Sequence, residues 1–412
     1  MVAGIIELLR SRSGALIAAL AFSTVATGVL LISIPLELRQ LNATPGEAGI
    51  ALGMFGFGML AFEWLWGVLA DRFGYRAPMI ASQLLYAVFI AILSQVATVP
   101  LIAACYFLAS GAMVAGGPIP RSYVGMSARP DLRATGLALV AAQWVFAEAI
   151  GAGAGGALID RFSIRPVILA SAILPLVSAA LVAIVLRAGD GRAPEERAGD
   201  RRTAPSREAR SRVLFVLVIT AALALLIQVG LGGELALLPL LITVHLSLSP
   251  SAAGLAMLAV GAIGGLLLVP GGRVADVWGR RQAMAAGAVI TAAGYVAYAI
   301  AENFGLVLGG AVVRAVGSSL IWPAVTAWVS ESVPRRRHAF YMGLFGEFEN
   351  VGVTLGPVAG GIAWAAWGLP SAFYVFAAAA AVAALVAAVG VRPAPVGRQP
   401  HPEALAQDFS RR

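Results

Sequence analysis

Charged side chains lie within long apolar runs of this 412-residue chain, and five of them are candidates for chemistry: Glu148, Glu234, Arg314, Glu347 and Glu349. A carboxylate removed from water favours its protonated form, so a glutamate that faces two aqueous compartments in turn can carry a proton between them. An arginine in such a run needs an anionic partner or a water-filled cavity. These residue types therefore indicate the handling of protons and ions rather than the making of covalent bonds.

Glu148 is the preferred proton carrier, because it lies deep in its apolar run and has no arginine within a helical turn. Glu347 and Glu349 are competing candidates. They point about 200° apart on a helix, so at most one of them faces a cavity. For Glu234 and Arg314 two interpretations stay open: they pair with each other, or they contact a substrate.

Aromatic residues accompany these charges, and Phe22, Trp144 and Phe348 are candidates for lining a substrate cavity. Flat side chains in an apolar cavity bind hydrophobic or cationic molecules by stacking and by cation–π attraction. The alternative is packing at the membrane interface, which is common for tryptophan in membrane proteins.

Residues that would support enzymatic, metal or nucleotide chemistry are scarce. Cys105 is the single cysteine, and His245, His338 and His401 are far apart in the sequence. The chain contains no lysine, which excludes a Walker phosphate-binding loop. We therefore expect no enzyme activity, no cofactor and no metal site.

The composition specifies the environment of these residues. Hydrophobic residues make up 59% of the chain, charged residues make up 12%, and the mean hydropathy is +0.86. A soluble fold could not hide so much apolar surface from water, so the sequence predicts an all-α integral membrane protein. Twelve apolar segments long enough to span a bilayer lie near 14–38, 46–70, 77–97, 100–121, 133–159, 165–187, 213–243, 250–271, 282–301, 304–329, 338–366 and 370–391.

The arginines predict the orientation of these segments. All 29 basic residues are arginine, and 25 of them lie in the two termini and in the connections that follow even-numbered segments. By the positive-inside rule, that side and both termini are cytoplasmic. Residues 1–187 and 213–391 are the predicted six-helix bundles, with a charged cytoplasmic linker at 188–212 and a disordered tail at 392–412.

An internal repeat relates the two halves. Five residues of the first half align with five of the second at a constant offset: Gly67, Ala70, Asp71, Gly74 and Arg76 with Gly272, Ala275, Asp276, Gly279 and Arg281. A glycine run aligns at the same offset: Gly151, Gly155 and Gly156 with Gly356, Gly360 and Gly361. Two repeats of the same topology predict two bundles related by a pseudo-two-fold axis along the membrane normal, with a substrate cavity between them.

The pattern G-x-x-x-D-R-x-G-x-R, from Gly67 through Asp71, Arg72 and Gly74 to Arg76, resembles the signature loop of the major facilitator superfamily. The run Gly352, Gly356, Pro357, Gly360 and Gly361 resembles the helix-bending motif of the antiporters in that family, although here it lies in segment 11 rather than segment 5. The chain is most similar to the twelve-helix drug/proton antiporter type.

The resemblance has functional implications. It implies that Asp71 contacts the start of segment 11 and closes the cytoplasmic side, with Arg72, Arg76 and Arg121 as its partners. It also implies a monomer in the inner membrane of a bacterium that binds a small molecule and a proton, surrounded by lipid and without nucleic acid.

The sequence favours proton-coupled export of hydrophobic or cationic small molecules by alternating access. The alternative is a proton symporter for a small organic anion, with Arg314 as the carboxylate receptor. A membrane sensor or scaffold is disfavoured, because a repeated gating motif has no use in a static protein.

The gating role of Asp71 gives a first testable prediction. Asp71→Asn removes the charge that the motif supplies at the cytoplasmic edge, so we expect a folded protein with strongly reduced transport. Labelling of single cysteines on the cytoplasmic side should increase. Parental transport and parental labelling in the variant would contradict the gating role.

Overall fold

The computed structural model describes residues 7–8, 10–127, 132–187, 189–191, 207–333 and 338–391. Nearly all of them lie in helices, and the predicted all-α architecture is confirmed. The twelve long helices are α1 (Arg12–Gln40), α2 (Pro45–Phe73), α3 (Arg76–Leu93), α4 (Val99–Ser127), α5 (Arg133–Ile159), α6 (Ile164–Val185), α7 (Arg207–Leu240), α8 (Pro250–Trp278), α9 (Arg280–Ala299), α10 (Phe304–Ser332), α11 (His338–Trp367) and α12 (Ser371–Gly390).

Within the described ranges, eleven of these helices are long and apolar enough to cross a membrane. The twelfth long helix, α11, is not among these eleven, and it carries Glu347 and Glu349 in its first half. One boundary differs clearly from expectation, because α7 begins at Arg207, inside the predicted linker. The rest of that linker, at 192–206, and the tail at 392–412 lie outside the described residues.

Local sequence signals begin and end the helices. Thr44 and Glu47 form a reciprocal capping box that starts α2 and satisfies two free backbone N–H groups. Gly74 ends α2 with φ +79°, and Gly279 ends α8 with φ +92°. Only glycine adopts this left-handed conformation without strain, which explains the two matching glycines of the repeated loop.

The glycine runs pack helices within each bundle in the same way. Gly151 and Gly155 of α5 lie against the backbone of α1, and the equivalent Gly356 of α11 lies against the backbone of α7. The last glycine of each run faces the opposite bundle: Gly156 meets α8, and Gly361 meets α2. The two glycine runs therefore make equivalent contacts in the structure: the first glycine of each run meets a helix of its own bundle, and the last meets the opposite bundle.

The packing between the two bundles differs at their two ends. We call the end formed by the turns after odd-numbered helices the arginine-poor end, and the opposite end the arginine-rich end. At the arginine-poor end, a Cβ built on Gly361 would lie 2.9 Å from Cα of Gly49. Towards the arginine-rich end, Gly67, Gly264 and Gly346 have no neighbouring atom within 4 Å of such a Cβ. The bundle interface is therefore closed at the arginine-poor end and looser at the other.

This packing predicts opposite responses to adding one methyl group. In Gly151→Ala the new methyl would collide with the backbone of α1, so we expect unfolding to become easier by about 1–3 kcal/mol. The matched control is Gly309→Ala in α10, where nothing lies within 4 Å. Since alanine favours helix over glycine by about 0.5–1 kcal/mol, the control should be as stable as the parent or more so. Thermal unfolding in detergent measures both; equal Tm values for the two variants would contradict this packing.

Candidate functional site

A small cavity of about 70 Å³ lies between the two bundles. Helices α5, α7, α8 and α10 line it, so both halves of the chain contribute to its wall. Three of its lining side chains are charged, namely Glu148, Glu234 and Arg314, and the others are apolar. Three of the five charged residues singled out in the sequence are therefore brought together.

Arg314 and Glu234 form an ion pair that is almost fully buried. The Nε atom of Arg314 lies 2.9 Å from Oε2 of Glu234, and the hydroxyl group of Tyr298 donates to Oε1 at 3.0 Å. Gly294 of α9 leaves room for the arginine, because any side chain there would meet the Arg314 backbone and Cβ. The sequence left two interpretations open for these residues, and in the structure they pair with each other.

Aromatic rings surround this pair on the side away from the cavity. Tyr295 and Phe376 are 5.9 Å apart between ring centroids, and Tyr298 and Phe373 are 5.5 Å apart. All four rings are buried. This packing excludes water behind the pair, which strengthens the attraction between the two charges.

Glu148 reaches the same cavity from α5. Its backbone carbonyl lies against Gly28 of α1, and Trp144 lies one helical turn earlier in α5. Among the described residues Glu148 has no ion-pair partner. Because Glu234 is neutralised by Arg314, Glu148 decides the net charge of the cavity: negative when ionised and neutral when protonated.

Glu347 and Glu349, the competing proton-carrier candidates, do not line this cavity. They lie near the arginine-rich end, close enough to Glu63 of α2 for electrostatic interaction. Arg121 is near Glu349. Asn350 donates to Glu63 across the bundle interface at 2.7 Å. These residues therefore lie where α11 packs against α2.

The predicted aromatic lining is likewise not observed in this cavity. Phe22 is 40% exposed. Phe348 packs against the core of the second bundle. Trp144 packs against the main hydrophobic core and is not among the residues that line the cavity.

The first copy of the gating motif lies at the turn between α2 and α3. Asp71 is exposed and makes no hydrogen bond or ion pair within the described part of the chain, while Arg72 stacks on Phe73 at 5.3 Å. Arg76 donates to the carbonyl oxygen of Ala183 in α6 at 3.1 Å. Gly67 faces open space, so it does not bring α2 to α11 here. Side chains at the start of α11 lie outside the described residues, and the contact predicted for Asp71 stays a prediction.

The second copy contains a local ion network. Arg280 contacts Asp276 and also lies 3.1 Å from Glu331 of α10. Arg281, the residue aligned with Arg76, is exposed. Gly272 lies near Pro323 of α10, where a Cβ would meet the proline ring at 3.5 Å.

The glycine–proline run of α11 serves packing. Gly352 and Gly360 face α7, while the carbonyl of Pro357 lies 2.7 Å from a Cβ built on Gly49 of α2. The helix continues through Pro357 without interruption. Both bundles therefore use the run as a contact surface.

Sequence reasoning missed three residues of this architecture. Tyr295 and Tyr298 are ordinary aromatic residues of an apolar helix, and nothing in their spacing indicates that they face Glu234. Glu37, near the end of α1, is 2% exposed and pairs with Arg165 of α6 at 2.8 Å. The position of Glu37 in an apolar segment was the available signal.

Twelve long helices in two bundles that enclose a partly charged cavity define a membrane transporter. Comparison with known proteins agrees. The chain belongs to the Major Facilitator Superfamily, whose sequence profile matches residues 16–244 and 225–411. Membership confirms that the protein is a multi-pass transporter and not an enzyme.

Two curated relatives each match part of the chain. The quinolone resistance protein NorA of Staphylococcus aureus is 27% identical over 137 residues, which are 33% of this chain and 35% of that protein. The MFS-type efflux transporter ffsH of Aspergillus flavipes is 31% identical over 90 residues, 22% of this chain and 16% of that one. The chain thus matches about a third or less of the length of these curated relatives.

Solved structures match nearly the whole chain. The nucleoside transporter NupG has a TM-score of 0.77 at 13% identity and covers 93% of this chain and 100% of its own. The D-xylose-proton symporter has a TM-score of 0.74 at 15% identity, covering 92% of this chain and 98% of its own. At such identities the likeness establishes the two-domain fold alone.

The buried pair gives a double-mutant prediction. Each single variant, Arg314→Met or Glu234→Gln, removes one charge of the pair and leaves the other charge buried without its partner. Each should therefore destabilise the protein by about 3–5 kcal/mol. The double variant removes both charges and should recover most of that loss. Thermal unfolding of the four proteins measures the coupling. Additive losses in the double variant would contradict the pair.

Proposed function

We propose that the protein is a proton-coupled secondary transporter that exports hydrophobic or cationic small molecules by alternating access. The observation that carries the proposal is the charge of the cavity: one paired arginine, one paired glutamate and one glutamate without an ion-pair partner, in an apolar wall. A cationic substrate and a proton can both neutralise Glu148. Competition between them at one carboxylate couples their movements in opposite directions.

The apolar wall supports a hydrophobic substrate. Leu231, Leu235 and Leu238 of α7 face Met257 and Val260 of α8. Removing an apolar molecule from water into such a wall is favourable over its whole contact area. The names of two relatives, a quinolone resistance protein and an efflux transporter, agree with export of this kind.

The orientation follows from arginine placement. We assign the arginine-rich end to the cytoplasm by the positive-inside rule, which puts both termini inside a bacterial plasma membrane. The closed arginine-poor end then faces outwards, so the cavity of this conformation is directed to the cytoplasm. A monomer suffices, since the cavity lies between two halves of one chain.

A second candidate is symport of a small organic anion bound by Arg314. The superfamily fold also occurs in a D-xylose-proton symporter, so the fold itself allows symport. The ion pair disfavours the anion, because a carboxylate would have to displace Glu234, which is held by both Arg314 and Tyr298. Substrate charge separates the two candidates.

Glu148→Gln tests the coupling. In proteoliposomes with an imposed pH gradient, the parent should move a lipophilic cation such as tetraphenylphosphonium against its concentration gradient. The variant mimics the protonated state permanently, so gradient-driven movement should be lost while exchange down a substrate gradient persists.

Glu63→Gln is the matched control, because it changes a membrane glutamate that does not line the cavity; it should retain gradient-driven transport. Concentrative transport by Glu148→Gln would overturn the role of Glu148. In that case Glu347→Gln and Glu349→Gln are the next variants. Transport of organic anions but not cations by the parent would favour the symporter.

A further inference from the structure

Charged side chains of the first bundle hold the turn between α7 and α8 from both sides. At one side, Nη1 of Arg39, near the end of α1, donates to the backbone carbonyl oxygen of Thr243 at 2.9 Å. At the other, the carboxylate of Asp160, which follows α5, accepts from the backbone N–H of Ser251 at 3.1 Å and from the Ser251 hydroxyl group. Both contacts lie at the arginine-poor end and cross from one bundle to the other.

The signs of these charges match the helix ends that they contact. Thr243 lies in the final turn that extends α7, where free carbonyl groups carry partial negative charge. Ser251 lies in the first turn of α8, where free N–H groups carry partial positive charge. The cation contacts the negative end and the anion contacts the positive end, so both interactions are attractive.

These contacts differ from others at the same end. Arg165 pairs with Glu37 inside the first bundle and holds nothing across the interface. The α2–α11 flank closes through backbone contact between Gly49 and Gly361. Arg39 and Asp160 are exposed and form no ion pair within the described ranges. Water and salt weaken exposed charge interactions, which suits contacts that must break and re-form.

We propose that Arg39 and Asp160 form a charged clasp on the α7–α8 turn that sets the balance between the two open states of the transporter. The clasp keeps the arginine-poor end closed in this conformation and releases when the cavity opens there. The proposal rests on the alternating access of the proposed function. It does not depend on the identity of the substrate or on proton coupling.

Distance measurement between the bundles tests the clasp directly. Nitroxide labels on Ala97→Cys and Glu302→Cys, in a Cys105→Ser background, report the separation of two turns at the arginine-poor end by double electron–electron resonance. The samples are lipid nanodiscs without substrate or pH gradient. Arg39→Met and Asp160→Ala should each raise the long-distance population about fivefold, the change expected for loss of about 1 kcal/mol. The double variant should raise it further.

Asn303→Ala is the matched control. Asn303 caps α10 at the same end, accepting from Leu306 N–H at 2.9 Å within one bundle. Asn303→Ala removes this helix cap but no contact between the two bundles, so the distance distribution should stay parental. Asp160→Asn keeps an acceptor and loses the charge, and an intermediate shift is expected; this milder variant serves if Asp160→Ala is not recovered folded.

A parental distance distribution in both Asp160→Asn and Arg39→Met would overturn the clasp. An equal shift in Asn303→Ala would also overturn it, because the effect would then come from helix-end destabilisation. Because no transport is measured, loss of the clasp is distinguishable from failure of the proposed export function. A shifted distribution supports the clasp even if tetraphenylphosphonium is not transported.

Discussion

The ion pair between Glu234 and Arg314 determines the electrostatics of the transport path. Two opposite charges within a membrane bundle are tolerable only when each satisfies the other and the remaining polar atoms find partners. Tyr298 supplies one such partner, and the buried aromatic rings behind it exclude water. Since the pair contributes no net charge, Glu148 becomes the residue whose protonation changes the charge of the cavity. The proposed competition between a proton and a cation depends on that arrangement.

Small residues supply the second constraint. In a lipid-embedded bundle, close packing of helices needs side chains that allow backbone contact, and glycine does so best. The two glycine runs bind α5 to α1 and α11 to α7, which makes each bundle a unit, and they use their last glycine to touch the opposite bundle. The last glycines of both runs therefore bring the bundles together at the arginine-poor end. Under the proposed alternating access, these contacts break and re-form as one bundle rotates against the other, and neither unit unfolds.

Most of the architecture was predictable from the sequence, because segment length, hydropathy and the repeat are one-dimensional signals. The positions of Glu148 and Arg314 followed from their depth along their helices. Which face each helix presents was not predictable, since rotation about a helix axis depends on neighbours. For that reason the sequence did not show that Glu347 and Phe22 lie outside the cavity that Glu148, Glu234 and Arg314 line in this conformation. Tyr298 was missed because its role comes from a contact with another helix and leaves no local pattern.

Proton release on substrate binding is the most direct measurement of the central claim, that a cation and a proton compete for Glu148. Tetraphenylphosphonium is added to the detergent-purified protein in weakly buffered solution, and a pH indicator reports the released protons. At a pH where Glu148 is protonated, the parent should release about one proton per bound cation, and Glu148→Gln should bind without release. Binding without proton release in the parent across the pH range, or equal release in Glu148→Gln, would contradict the account.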